Sequence, residues 1–297
     1  MILITGAAGK TGKAVLRALA EKGMPAKAAV FRVEQVQQVE ALGAREVVLG
    51  DLRDAAFIRR AMQGVKAVYH IPPNVHPDEI AIGREIITAA RALGIDHFVY
   101  HSVLHPQVED MPHHWKKLRV EELVFKSGLA YTILQPAVYM QNLLVNWAKI
   151  IETGRYTIPY AVGSRLSLVD LEDVAEAAAI VLSAVSTAGG QPQHNGATYE
   201  LAGTPGTSQS EIAETLSQHL GRPVVAESIS LDRWECEARA SLLGEEQVQT
   251  LLRMFAYYEN YGFWGNPQVL SWLLNRPATS LDVFVQRAVE KLAQIAR

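Results

Sequence analysis

A doubly wound α/β fold, an open parallel sheet with helices on both faces, is predicted for this 297-residue chain by three observations. The chain opens on an apolar strand that breaks at Gly6 and passes straight into a helix. Short β-branched runs then alternate with amphipathic helical stretches through the first half, which implies parallel strands joined by right-handed crossovers. Beyond Asn142 the alternation fails, and a smaller, mostly helical C-terminal lobe follows.

The first turn reads Gly6-Ala7-Ala8-Gly9-Lys10-Thr11-Gly12 and leads into a helix expected over Lys13–Lys22. A turn this tight needs residues without side chains, so that a pyrophosphate can lie against backbone N–H groups at the helix N-terminus. G-x-x-G-x-x-G is a variant of the dinucleotide fingerprint of Rossmann folds, and it stands where that motif belongs, between strand and helix. Gly9-Lys10-Thr11 also looks like the end of a phosphate-binding P-loop, but that motif needs a glycine where Ile4 stands, so the ATPase reading fails. A strand-to-helix turn with no ligand is the bland alternative.

Ala26–Phe31, Arg45–Leu49, Ala67–Ile71, His97–Ser102 and Tyr131–Gln135 read as strands two to six, with helices starting near Val33, Ala55, Asp78 and Trp115. Ligands of such sheets lie beyond the C-terminal strand ends. At the second of these ends Arg32 follows Gly12 by twenty positions and no acid is present, so a 2′-phosphate and NADP(H) are favoured over NAD(H). Glu34 reads as a helix-start residue. At the third, Asp51 and Leu52 suit the amine edge and ring of an adenine; alternatively Asp51 or Asp54 caps the next helix. At the fourth, the stiff, donor-poor Ile71-Pro72-Pro73 is placed to pass beneath the cofactor.

Composition bounds the rest. A net charge of −3 without a basic block gives no reason to expect nucleic acid or an anionic membrane as partner. The single Cys236 excludes an internal disulfide framework and fits a reducing compartment, and no His/Cys cluster stands at metal-ligand spacing. The N-terminus reads as a core strand rather than a signal peptide, and the most apolar helix, Val174 to Val185, is too short to span a bilayer. A cytoplasmic protein is expected.

From the fifth strand onward a family resemblance emerges. His101-Ser-Val, His113-His-Trp-Lys-Lys117-Leu-Arg-Val-Glu-Glu and Ser127 to Asn142 (Ser-Gly-Leu-Ala-Tyr-Thr-Ile-Leu-Gln-Pro-Ala-Val-Tyr-Met-Gln-Asn) resemble the NmrA-like family. These are atypical short-chain dehydrogenase/reductase proteins that include quinone-reducing and dye-reducing members. Leu168 to Ala175, Tyr199 to Gly203, Gly221-Arg-Pro-Val and Asn275 to Leu281 fit as well. The resemblance implies that the Gly6–Gly12 loop holds the pyrophosphate, Arg32 the 2′-phosphate, Asp51 and Leu52 the adenine, and Ile71 to Pro73 the middle of the cofactor. It further implies that Tyr139, Met140 and Asn142 form a wall on the nicotinamide side and that Lys117 grips the nicotinamide ribose.

Typical short-chain dehydrogenases use Tyr-x-x-x-Lys, two residues that share a helix face. Here His113 stands at the tyrosine position and Lys117 is retained. Imidazole ordinarily titrates near neutrality, so His113 is a candidate proton relay; a loop histidine at the pocket rim is the alternative, if the helix begins only at Trp115. Lys116 rivals Lys117, and the resemblance favours Lys117. Ser102 either polarises a substrate carbonyl or satisfies a strand-end backbone group. His101, His105 and His114 read as surface or rim residues, and Asp170 and Asp173 as the acidic start of a helix.

The expected division is a cofactor-binding domain over 1–150, with 166–202 returning to the sheet, and a substrate or partner lobe over 151–165 and 203–297. In that lobe Tyr257, Tyr261 and Phe263 are the rings to inspect first for stacking on a flat substrate, although core packing explains such a cluster equally. The leading function is an NADPH-dependent oxidoreductase acting on a quinone, dye or conjugated carbonyl. A non-catalytic NADP(H) sensor working through a protein partner is the alternative, favoured by the missing tyrosine. That same absence weakens a sugar-nucleotide epimerase.

Overall fold

Ile2, Leu3 and Ile4 are buried on both sides and form β1 (Ile2–Ile4), a central strand of a seven-stranded sheet. The other strands are β2 (Ala26–Val30), β3 (Ala44–Leu49), β4 (Ala67–His70), β5 (His97–His101), β6 (Tyr131–Pro136) and β7 (Ala197–Leu201). Their order is β7-β6-β5-β4-β1-β2-β3, and the ladders joining β1 to β6 are all parallel. The order reverses between β1 and β4, which opens the crevice where doubly wound folds bind ligands. The computed structural model describes residues 1–183, 192–241 and 243–295, with side chains to residue 291.

Each strand expected in the first half forms within one residue of its expected ends. The helices are α1 (Lys10–Glu21), α2 (Val36–Glu40), α3 (Ala55–Met62), α4 (Glu79–Ala92) and α5 (Pro112–Phe125). Two start earlier than the sequence predicts. Helix α1 begins at Lys10 because Gly9, in extended conformation, is its N-cap. Helix α5 begins at Pro112, a residue whose ring fits the first helical position, and so takes His113 into the helix. Phe57, Met62, Ile82, Ile86, Val120 and Val124 from α3, α4 and α5 pack with Leu3, Val68, Phe98 and Ile133 of the sheet. Gly83 lets α4 and α5 approach closely, since a Cβ there would lie 2.8 Å from Val120 Cγ1.

The chain divides into two compact units. The first holds Met1–Glu109, His113–Pro136 and Val174–Tyr199; the second holds Asp110–Pro112, Ala137–Asp173 and Glu200–Arg297. Within the second, short two-stranded ladders join the helices: Val138–Tyr139 with Leu168–Val169, Arg155–Ile158 with Val225–Ser228, and Arg165–Leu166 with Thr207–Ser208. The helix Leu171–Ser183 follows Asp170; its predicted end at Val185 lies outside the described residues. No helix among the described residues is long and apolar enough to cross a membrane.

Candidate functional site

The glycine turn between β1 and α1 is shaped by backbone sterics. Gly6 has φ +59°, a left-handed conformation that side-chain-bearing residues rarely adopt, and its N-terminal neighbour Thr5 is locked to β4. Thr5 Oγ1 donates to Ile71 O at 3.1 Å and accepts from Ile71 N–H at 2.9 Å, so the ends of β1 and β4 are tied together beneath the turn. Gly9 N–H donates to Gly6 O at 3.0 Å. A Cβ on Gly12 would strike Gly6 O and lie 2.5 Å from Ala7 Cα, so the third glycine is required for α1 to pack on the loop. As N-cap, Gly9 sets no side chain before the leading amides of α1, and Gly6, Gly9 and Lys10 are exposed while Ala8 is partly so and Thr11 is buried. This cradle is one that side chains would fill, and it fits a pyrophosphate.

Arg32 lies at the end of β2, exposed, with its backbone N–H on Gln35 Oε1 at 3.0 Å. At the end of β3 the two aspartates have different duties. Asp54 caps α3, accepting from Ala56 N–H at 2.8 Å, while Asp51 pairs with Arg53 at 2.6 Å and is held below its ordinary pKa by that hydrogen bond. Leu52 is half-buried. Ile71 and Pro72 are buried at the end of β4 and Pro73 is half-buried. The loop that follows holds Val75 at φ +45°, an outlier for a β-branched residue.

Across the ends of β4 to β6 the groups are buried or half-buried. His113, Lys117 and Glu121 stand four apart on α5 and so share a face. Lys117 Nζ donates to Glu79 Oε1 at 2.8 Å, and Glu79, the first residue of α4, is wholly buried. Tyr100 Oη donates to the same oxygen at 3.3 Å, while Glu79 Oε2 has no partner. Lys116 instead reaches the His76 carbonyl at 3.4 Å. Ser102, at the end of β5, donates to Glu121 Oε1 at 2.5 Å, and Gln135 Nε2 donates to that oxygen at 2.8 Å. Burial raises the Glu121 carboxyl above its ordinary pKa.

The histidines correct two expectations. His113 does not titrate near neutrality: burial first, then the charges of Lys117 and Lys116, pull it down to about 4. It is a neutral imidazole on α5, and its buried Nδ1 has no partner. His101 and His114 are buried rather than on the surface, and Tyr69 Oη lies 2.7 Å from His101 Nδ1. His70, also buried, stacks on Tyr100 and meets Thr5 Oγ1 at 2.8 Å.

The remaining expected residues belong to the second unit. Tyr139 is half-buried, Met140 fully buried and Asn142 exposed. Asp170 and Asp173 are buried at the start of the helix Leu171–Ser183. Asp170 accepts from Glu172 N–H and pairs with Arg287; Asp173 accepts from Arg276 at 2.7 Å and from Thr279 N–H at 2.6 Å. Both serve structure, holding the C-terminal segment. Phe263 is buried against Tyr258, so it packs the core, whereas Tyr261 is exposed and Tyr257 lies against it at 4.9 Å between ring centres.

Sequence reasoning missed Glu79, Tyr100, Glu121 and Gln135. The spacing of Glu121 from Lys117, one helical repeat, was a usable signal; Glu79 is 38 residues from Lys117 in the chain and carries no local one.

The fold is that of a Rossmann-like doubly wound protein, and its glycine cradle has room for the pyrophosphate of a dinucleotide. Residues 1–293 match the NmrA-like family, and the chain belongs to it. It is 32% identical over 252 residues to an NAD(P)H azoreductase of Xenophilus azovorans, covering 84% of this chain and 83% of that protein. It is 28% identical to quinone oxidoreductase 2 of Escherichia coli, covering 95% of this chain and 96% of that protein. A solved structure of the NADPH-dependent quinone oxidoreductase from E. coli complexed with NADPH superposes with a TM-score of 0.82, at 27% identity over 99% of this chain and 100% of that one.

Proposed function

We propose that this protein is an NADPH-dependent reductase of small aromatic or carbonyl acceptors, quinones and azo dyes foremost. The observation that carries this reading is the joint placement, at the strand ends of one unit, of a glycine cradle at the start of α1 and a half-buried, ion-paired lysine on α5. The two relatives that align over most of the chain, a NAD(P)H azoreductase and a quinone oxidoreductase, support it. Bound NADPH would supply a hydride. The Gly6 to Gly12 turn, through Ala8, Gly9, Lys10 and Thr11, would hold the pyrophosphate, and Arg32 the 2′-phosphate. Asp51 and Leu52 would face the adenine, and Ile71, Pro72 and Pro73 would underlie the cofactor's middle. Lys117 would donate to the nicotinamide ribose. Ser102 is buried with its hydroxyl proton on Glu121 Oε1, so it would donate to an acceptor oxygen or nitrogen only by turning that proton away from Glu121; His113, neutral, can pass a proton only as imidazole.

The test is a fluorescence titration with NADPH and NADH, followed by anaerobic NADPH oxidation with a panel of quinones and azo dyes. Tighter binding of NADPH, lost in Arg32→Ala, together with turnover of at least one acceptor, is expected. Equal affinities before mutation would overturn the 2′-phosphate assignment. Tight binding without turnover across the panel would overturn the reductase in favour of a cofactor sensor acting through a partner protein.

A further inference from the structure

We infer, resting on the cofactor reading above, that Glu79 is the positioning residue for Lys117: its buried carboxylate holds the ammonium where a nicotinamide ribose would be gripped. A carboxylate with no exposure is costly to a fold unless it is paired and hydrogen-bonded. Helix capping does not explain it, because neither Glu79 oxygen accepts from an amide of α4: Oε1 faces Lys117 and Tyr100, and Oε2 has no partner. What Glu79 does hold is Lys117 Nζ at 2.8 Å and Tyr100 Oη at 3.3 Å, both on one oxygen.

The ammonium has three donors, and Glu79 takes one. No other acceptor engages Lys117 among the described residues, so two donors remain for the paired hydroxyls of a ribose. The lysine side chain is 13% exposed, so it cannot swing into solvent as surface lysines do. Its reach is set by the close approach of α4 to α5 at Gly83 and Val120, one turn beyond Glu79 and Lys117 respectively. His70, His101 and His113 all feel the lysine's charge and are kept neutral, chiefly by burial, so they do not compete for Glu79 as cations. Glu121, a buried carboxyl on the Lys117 face of α5, is occupied by Ser102 and Gln135.

The experiment compares two ligands by fluorescence and calorimetric titration: NADPH, and 2′,5′-ADP, which carries the adenosine phosphates but no nicotinamide ribose. Glu79→Gln should weaken NADPH by about tenfold and leave 2′,5′-ADP unchanged. In a Lys117→Met background the same change should have no further effect on that ratio. Equal loss for both ligands, or loss for neither, overturns the positioning role while leaving the cofactor reading intact. A wild-type protein that binds neither ligand overturns both. Should Glu79→Gln fail to fold, the unmutated protein decides: the Glu79 carboxyl carbon resonance should move on adding NADPH and stay on adding 2′,5′-ADP. A resonance that treats the two ligands alike overturns the inference.

Discussion

The strand-end face of the first unit is built on opposite plans at its two ends. Around β1 to β3 the groups are glycines, backbone amides and exposed side chains, with Arg32 and Arg53 in solvent. Around β4 to β6 they are ionisable and buried or half-buried: Glu79, Lys117, Glu121 and several neutral histidines. Exposed charges are screened and contribute little to folding, whereas each buried polar group must find a partner or lose its charge. Ligand binding and stability are therefore separable at the first end and coupled at the second.

The largest effect expected from this contrast is acid sensitivity at the buried end. Burial, the leading cause in each, holds His70 and His101 down to about 3, His113 down to about 4 and His114 well below the ordinary 6.5. Between those values the unfolded chain binds protons that the folded chain refuses. Stability is therefore full above pH 6.5 and is lost as the pH falls through the window, with up to about 1.4 kcal/mol per pH unit from each histidine. Glu121 acts in the opposite direction, because its raised pKa makes the folded state lose ground as pH rises. Four groups outweigh one. Urea unfolding at a series of pH values between about 7 and 5 should show a falling free energy; a flat profile would mean that these imidazoles are hydrated and that the two ends do not differ as described.

A smaller effect sharpens the same contrast. Gly83→Ala places a Cβ 2.8 Å from Val120 Cγ1, against a branched side chain that has little room to turn. Overpacking of this kind destabilises by about 1–3 kcal/mol. Denaturant unfolding should register that loss, and a second change, Val120→Ala, should return part of it. Because the crossing of α4 and α5 also sets the reach from Glu79 to Lys117, NADPH affinity should fall with stability. Unchanged affinity in the folded variant would uncouple the crossing from the site.

The same contrast explains what was legible in the sequence. The glycine turn could be recognised, though not that its helix starts at Lys10, because its constraint is local: Gly6 needs a left-handed backbone and Gly12 has no room for a Cβ, and both show as residue types at a fixed spacing. The strands were legible because residues buried on both faces form short apolar runs. At the other end, residue types alone misled. His113 looks like a group that titrates near pH 7, and only its burial beside Lys117 makes it neutral. Glu79 looks like an ordinary acid in the first turn of a helix, and its partner lies on another helix. In the second unit, Asp170 and Asp173 could be read as a helix start, but their arginine partners, more than a hundred residues further on, could not.

The smallest predicted effect lies at the exposed end and is a gain. The Asp51 carboxylate is turned to Arg53, whose Nε donates to both its oxygens and whose Nη2 donates to Oδ2 at 2.6 Å. In that arrangement the carboxylate has fewer lone pairs to offer an adenine amine. Exposed pairs of this kind are worth little, so releasing Asp51 should demand little of the fold. Arg53→Ala should leave the urea midpoint unchanged and tighten NADPH binding by on the order of twofold, provided Asp51 faces the adenine. The matching control is Asp51→Asn, which should abolish the gain when combined with Arg53→Ala. If Arg53→Ala weakens binding instead, the guanidinium itself contacts the nucleotide, and the adenine assignment moves from Asp51 to Arg53.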